Sequence, residues 1–246
     1  MLIVGGCSGA ATTTTTAPIP TTTTATTVAT TSTVATTTTT DQFALAPGQS
    51  LVAHSDGELA IYDSPATSQP SVIFPATTIL GTPQVYLVID GPIDEWALLA
   101  LPGRPNGATG WAKADDLRIE VVDQLITIDL SDRKLSFNSG GRELINATVA
   151  VGSDSNPTPE GRFYVTDVVQ LANPNSAWGP FAVGLSGRSD TITEFNGGDG
   201  IIGIHGTNRP NTIGQPVSLG CVRLDNESIT LLANTIRLGV PVFIEA

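Results

Sequence analysis

Ile201-Ile202-Gly203-Ile204-His205-Gly206-Thr207 and, a little further on, Ser218-Leu219-Gly220-Cys221-Val222-Arg223-Leu224-Asp225 are the stretch from which this chain is best read. The apolar run 201–204 predicts a buried strand that leaves His205 at its end. Asp225 is a good helix N-cap, and Leu224 and Ile229 are spaced as a hydrophobic staple. Ile229, Leu232, Ala233 and Ile236 recur at i, i+3, i+4 and i+7, the pattern of a helix with one buried face. Gly239 ends that helix, Pro241 follows, and 240–244 predicts a closing strand. The helix therefore starts just after Cys221 and anchors it.

Outward from this stretch the pattern is one of strands. Ile126, Ile128 and Leu130 alternate, Ser131-Asp132-Arg133 turns, and Lys134–Phe137 returns, which predicts a hairpin. Asn138–Gly141 reads as a second turn and 147–151 as a further strand. Pro157-Thr158-Pro159-Glu160-Gly161 breaks the chain before a strand at 162–165. Residues 172–180 and 186–200 are rich in Gly, Asn and Ser and long enough to be functional loops. Residues 44–118 carry short apolar runs between Gly, Pro and Asp turns, the spacing of a small all-β module. Trp96 and Trp111 are read as core of that module, because Trp is highly buried on average, with a binding role as the alternative. The fold class is mainly β, with one helix after Cys221. The division is 1–43 for an N-terminal segment, 44–118 for a small all-β domain and 119–246 for a second, β-rich domain.

Composition excludes several functions. The net charge is −12 with only 11 Lys and Arg. Nucleic-acid binding needs phosphate neutralisation, so no nucleic-acid partner is expected. No run reaches the ~18 apolar residues of a membrane-spanning helix. Two cysteines, Cys7 and Cys221, do not make a disulfide framework. Residues 8–40 are mostly Thr, uncharged and without an apolar period; such a segment cannot offset its ordering entropy and reads as an extended tether. Met1-Leu2-Ile3-Val4-Gly5-Gly6-Cys7 is similar to the end of a bacterial lipoprotein signal, which would make Cys7 the site of a lipid anchor. It lacks the basic start of such a signal, the first Lys or Arg being Arg104.

The chemistry concentrates at Cys221. A lone cysteine is by default an inert apolar residue. Here its neighbours are glycines and hydroxyl residues, not a core. A thiol is mostly protonated at neutral pH and needs a base, usually imidazole. Of the two histidines, His54 falls in the N-terminal module, which leaves His205. The Gly206 carbonyl could orient the second ring nitrogen of His205. Gly220 lets backbone approach a substrate, so the amides around Gly220 and Cys221 are candidate oxyanion donors. Arg223 either binds a substrate carboxylate or pairs with Asp225. Ser218 either braces the loop or bonds the histidine. No His/Cys cluster suggests a metal, and no cofactor is expected.

Ile204-His205-Gly206-Thr207 with Ser218-Leu219-Gly220-Cys221-Val222-Arg223 resembles the signature of the L,D-transpeptidase (YkuD) family. Thr158-Pro159-Glu160-Gly161-Arg162-Phe163 resembles that family's Thr-Pro-x-Gly-x-Phe turn. The resemblance covers about residues 120–246. It implies a YkuD-like catalytic domain with Cys221 and His205 catalytic, Gly206 and Gly220 supporting them, and Ser218, Thr207 and Arg223 toward the substrate. Leu219 departs from the His or Arg common there. No aromatic hydroxyl matches the one that helps the oxyanion hole in some members; Trp178 and Phe181 occupy its loop. The implied substrates are peptidoglycan stem peptides, joined by 3→3 cross-links, with carbapenems as inhibitors. The implied location is the cell envelope after export, lipid-anchored at the outer face of the cytoplasmic membrane if Cys7 is modified. Residues 59–62, 96–101 and 107–112 loosely resemble a bacterial SH3-like domain. A monomer is expected. The alternatives are an L,D-carboxypeptidase that hydrolyses the same thioester, and a non-catalytic envelope scaffold.

Overall fold

Short alternating strands and glycine turns build two large sheets and two small strand pairs. The computed structural model describes residues 45–195 and 198–246. The lipoprotein-like start and the Thr-rich tether lie outside the described residues. The first part of the chain contributes β1 (Ser50–His54), β2 (Leu59–Ile61), β3 (Val72–Phe74), β4 (Val85–Ile93), β5 (Trp96–Ala100), β6 (Thr109–Lys113) and β7 (Arg118–Val122). An antiparallel five-stranded sheet runs β6-β5-β4-β1-β7, with β2 and β3 as a separate pair.

The tryptophans of this sheet are not where the sequence reading set them. Its core is Leu51, Ala53, Leu59, Ile61, Tyr86, Val88, Ala97, Leu99 and Ala112. Trp96 and Trp111 are half-buried instead. On a strand successive side chains alternate faces, so once Ala97, Leu99 and Ala112 point inward, Trp96 and Trp111 point outward. Trp96 packs edge-on against Tyr62 with ring centroids 5.1 Å apart.

The second part contributes β8 (Gln124–Asp129), β9 (Lys134–Ser139), β10 (Arg142–Thr148), β11 (Val151–Gly152), β12 (Gly161–Gln170), β13 (Phe181–Arg188), β14 (Ile201–His205), β15 (Pro216–Ser218), β16 (Val222–Arg223), α1 (Asn226–Thr235) and β17 (Pro241–Glu245). The eight-stranded sheet runs β10-β9-β8-β17-β12-β13-β14-β16. The hairpin β8–β9 is in register from Gln124 opposite Ser139 to Asp129 opposite Lys134. Gly140 and Gly141 both have positive φ, 58° and 74°, which the two-residue turn into β10 requires. The strand expected at 147–151 is really two, because the ladder with β9 ends at Thr148 and the chain then turns to pair β11 with β15.

The larger sheet curls back on itself. Helix α1 packs against both β10 and β13. At the closing seam Ala150 and Arg223 exchange backbone bonds, with Ala150 N–H donating to Arg223 O at 3.0 Å and Arg223 N–H to Ala150 O at 2.8 Å. One apolar cluster, from Ile126 to Ile244, fills the space between sheet and helix and includes Ile229 and Leu232 from α1. Asp225 caps α1, accepting from Ser228 N–H at 2.8 Å. The smaller sheet joins the larger one through Val52, Val85 and Val122 packed on Leu238, and through Thr78 Oγ1–H donating to Asp167 Oδ1 at 2.6 Å.

Candidate active site

The pairing of β14 with β16 decides which side chains meet. These parallel strands set Ile204 beside Val222 and His205 beside Arg223. Extending the register back one residue puts Cys221 opposite Gly203. Residues two apart share a face of a strand, so Cys221 and Arg223 look the same way as His205, and Gly203 leaves room between them. All three border one cavity of about 140 Å³, together with Trp178, Ile202 and Ser218. The other histidine, His54, is committed elsewhere, bonded to Glu120 at 2.8 Å.

His205 is 5% exposed, and its Nδ1 lies 2.6 Å from Gly206 O. A carbonyl only accepts, so the proton of the neutral ring is on Nδ1. Nε2 then carries a lone pair. Burial lowers the His205 pKa from 6.5 to about 4; the Gly206 bond raises it and the Arg223 charge lowers it. Burial pushes the Cys221 thiol up, opposed by a backbone bond from Gly203 and by Arg223. At neutral pH the pair is therefore thiol and imidazole, not a preformed ion pair. In this resting geometry Sγ meets backbone, at Gly203 and through a long 3.9 Å contact to Ile201 O, and makes no hydrogen bond to His205. Bonds of this kind often tighten only when substrate is present.

The loop before Cys221 is held by braces. Ser218 Oγ donates to Cys221 O at 2.6 Å and accepts Gly220 N–H at 3.0 Å. Ser218 thus braces the loop, and it engages the Gly220 amide that was a candidate oxyanion donor. Among the described residues the Cys221 N–H makes no bond to a protein acceptor. Gly220 has φ +114°, and a Cβ there would lie 3.1 Å from Ile202 Cδ1. Buried Thr158 donates to Gly220 O and accepts Gly152 N–H, both at 2.9 Å. The Thr-Pro-x-Gly turn thus supports the cysteine loop across 62 residues.

Thr207, expected near the substrate, is buried and does not border the cavity. Its hydroxyl accepts Arg209 N–H at 2.9 Å and its own N–H donates to Asn226 Oδ1 at 2.8 Å, so it shapes the turn after His205. The Asn226 amide, at the start of α1, also lies where a Cβ on Gly206 would fall, and Pro180 Cδ would be 3.0 Å from that Cβ. Gly206 is required by this packing. Arg223 is not paired with Asp225, which is spent on capping α1. Its Nε is buried without a partner among the described residues.

Trp178 is the residue the sequence reading undervalued. Its ring centroid is 4.4 Å from that of His205, tilted by 43°, and Phe195 packs behind it at 6.2 Å. The indole shields the imidazole from water and so helps hold it neutral. Leu219, 50% exposed, stands at the cavity rim. Phe181 lies on β13 and accepts Gly206 N–H through its carbonyl, at 3.2 Å. Replacing Trp178 by alanine is expected to raise the His205 pKa from about 4 toward its ordinary value of 6.5. The acid limb of thiol acylation should move up by about one pH unit or more, measured as rate against pH. Among the described residues no three His, Cys, Asp or Glu side chains stand close enough to share a metal ion.

Comparison with known proteins identifies the family. The family profile for YkuD, described as an L,D-transpeptidase catalytic domain, matches residues 123–244. The L,D-transpeptidase YkuD of Bacillus subtilis, a name itself given provisionally, is 30% identical over 146 residues, 59% of this chain and 73% of that protein. Its Bacillus licheniformis counterpart, named in the same provisional way, is 30% identical over 125 residues, 51% of this chain and 67% of that protein. The chain belongs to the YkuD family of L,D-transpeptidases, enzymes of the transpeptidase or acyltransferase kind. Among solved structures, an L,D-transpeptidase from Mycobacterium tuberculosis H37Rv is 16% identical, covering 66% of this chain and 90% of that one, with a TM-score of 0.43. L,D-transpeptidase 3 from Mycobacterium tuberculosis, solved with a faropenem-derived adduct, is 14% identical, covering 66% and 91%, with a TM-score of 0.43.

Proposed function

We propose that this protein is a peptidoglycan L,D-transpeptidase that forms 3→3 cross-links through a thioester on Cys221. The observation that carries the reading is the 2.6 Å bond from His205 Nδ1–H to Gly206 O, which leaves Nε2 basic beside the cavity that Cys221 borders. A donor stem enters with the carbonyl of its third residue, a diamino acid, at Sγ. The Cys221 thiol gives its proton to Nε2 as sulfur attacks, and the Cys221 N–H bonds the developing oxyanion. The C–N bond to D-Ala breaks, and imidazolium returns the proton to the leaving amine. The side-chain amine of a second stem then attacks the thioester, loses its proton to His205 and frees the thiol. Two half-reactions on one covalent intermediate give ping-pong kinetics.

Arg223 is proposed to bind a carboxylate of the stem in a bidentate fork. Its charge also favours the thiolate as it forms, which matches its downward pull on the Cys221 pKa. The substrate lies outside the cytoplasmic membrane, so the proposal includes export to the envelope. A lipid anchor at Cys7, the tether at 8–40, an SH3-like module in the smaller sheet and a monomeric state belong to it too.

The test is intact-mass spectrometry after incubation with a stem-tetrapeptide muropeptide. A tripeptide adduct on Cys221 with loss of D-Ala, followed by cross-linked dimers, is the expected result. Tripeptide product without dimers would make the enzyme an L,D-carboxypeptidase. No adduct with the muropeptide and none with a carbapenem would leave an envelope scaffold.

A further inference from the structure

The wall of the Cys221 cavity is not held by the larger sheet alone. Ser189, Ile192, Phe195 and Gly200 border the cavity and belong to the segment that leaves β13 and returns to β14. Three carbonyls of that segment converge on one side chain from the smaller sheet. Arg104, on the turn between β5 and β6, donates from Nη1 to Asp199 O at 2.6 Å, and from Nη2 to Ser189 O at 2.8 Å and Ile192 O at 3.0 Å. Asn106 on the same turn donates to Arg188 O and accepts Arg188 N–H, both at 2.8 Å. Arg188 in turn pairs its Nε with Asp199 Oδ2 at 2.7 Å. Gly200, at φ +74°, leaves the space: a Cβ there would lie 3.0 Å from Arg104 Nη2 and would strike Ile192 O.

We propose that Arg104 is a positioning residue for the Cys221 cavity. Its guanidinium holds Ser189–Phe195 and Gly198–Gly200 in place, so the smaller sheet sets how well the cavity captures an acyl donor. The inference rests on reading that cavity as the donor site. A planar guanidinium can reach three carbonyls at fixed angles, which an ammonium on a flexible stem cannot do as well. Arg104 bonds Ile192 O, Phe195 follows three residues on in the same segment, and aromatic contacts run from Phe195 to Trp178 and from Trp178 to His205. Arg104 touches no reacting atom and acts only through this wall.

The experiment compares the full chain with Arg104→Ala and Arg104→Lys in three measurements. The first is the rate of carbapenem acylation against carbapenem concentration. The second is alkylation by iodoacetamide, read at the Cys221 peptide so that Cys7 does not contribute. The third is hydrogen–deuterium exchange over 189–200. Arg104→Ala should lower acylation at sub-saturating carbapenem by about tenfold, mostly through weaker capture and not through the saturating rate. Arg104→Lys should recover part of the loss. Iodoacetamide, too small to need the wall, should react within about twofold of wild type. Exchange should rise across 189–200 and stay unchanged in the β8–β9 hairpin.

Wild-type acylation by the alanine variant, or an equal loss with iodoacetamide, would overturn the inference, the second because it reports general damage. A wild-type protein that takes no carbapenem would count against the enzymatic reading. Unchanged exchange over 189–200 in Arg104→Ala would by itself overturn the hold of Arg104 on the wall, whatever the enzyme does with carbapenem.

Discussion

Cys221→Ala is expected to end covalent chemistry while leaving the fold intact. Intact-mass spectrometry with a carbapenem should show complete labelling of the wild type and none of the variant, a drop in rate of about 10³-fold or more, since removal of a nucleophile leaves no second route to the adduct. The structural cost should be small. Cys221 is only partly buried and its sulfur meets only backbone, at Gly203 and through a long 3.9 Å contact to Ile201 O. The loop is held instead by Ser218 and Thr158, through backbone atoms that alanine retains. The melting temperature should therefore shift by no more than a few degrees, as for a loss of about 1 kcal/mol. A labelled alanine variant would remove the thiol from the mechanism.

His205→Gln should produce the second largest effect and a distinctive pH dependence. Loss of a general base costs roughly 10²–10⁴ in rate, so acylation at pH 7 should fall by about that factor. The wild-type rate should be flat across neutral pH, because His205 loses its proton near 4 and the thiol titrates above its ordinary value. In the glutamine variant the rate should climb about tenfold per pH unit, since only solvent base remains to make the thiolate. A variant with the same flat profile as wild type would show that His205 is not the base.

The same histidine links stability to pH. Its folded pKa of about 4 lies below the unfolded 6.5. Between these values the unfolded chain binds a proton that the native chain refuses. Stability therefore rises with pH in this window: it is fully present above about 6.5 and is lost as pH falls through about 4, a difference of about 3 kcal/mol. His205→Gln should abolish this component, seen as a smaller drop in melting temperature between pH 7 and pH 4.5 than in wild type.

Much of this was legible from residues alone, for identifiable reasons. The helix after Cys221 announced itself through an aspartate cap and a 3.6-residue apolar period, both properties of a single turn or two. The hairpin at 124–139 followed from alternation over a dozen residues. His205 and Cys221 stood out because few other residues of their kind exist in the chain. Trp96 and Trp111 were misplaced because hydrophobicity does not say which of two alternating faces is the inner one; that depends on what the partner strands bring. Thr207 was misassigned because a hydroxyl beside a candidate base reads the same whether it faces the ligand or caps a turn. The Gly220 amide looked free until Ser218 was found to occupy it. Trp178 could have been found only by asking which aromatic lies near His205, and the two are separated by a whole strand pair.

The linear chain by itself determined the mainly β character, the helix that anchors the cysteine loop, and the two side chains expected to exchange a proton, because these rest on local periodicity, capping chemistry and the scarcity of suitable groups. Only the tertiary structure decided the tautomer of His205, the bracing of Gly220 by Thr158, the shielding by Trp178 and the hold of Arg104 on the cavity wall. Each of those is a contact between segments far apart in sequence, whose meeting depends on strand register and on how the larger sheet curls, and neither is written in any short window of residues.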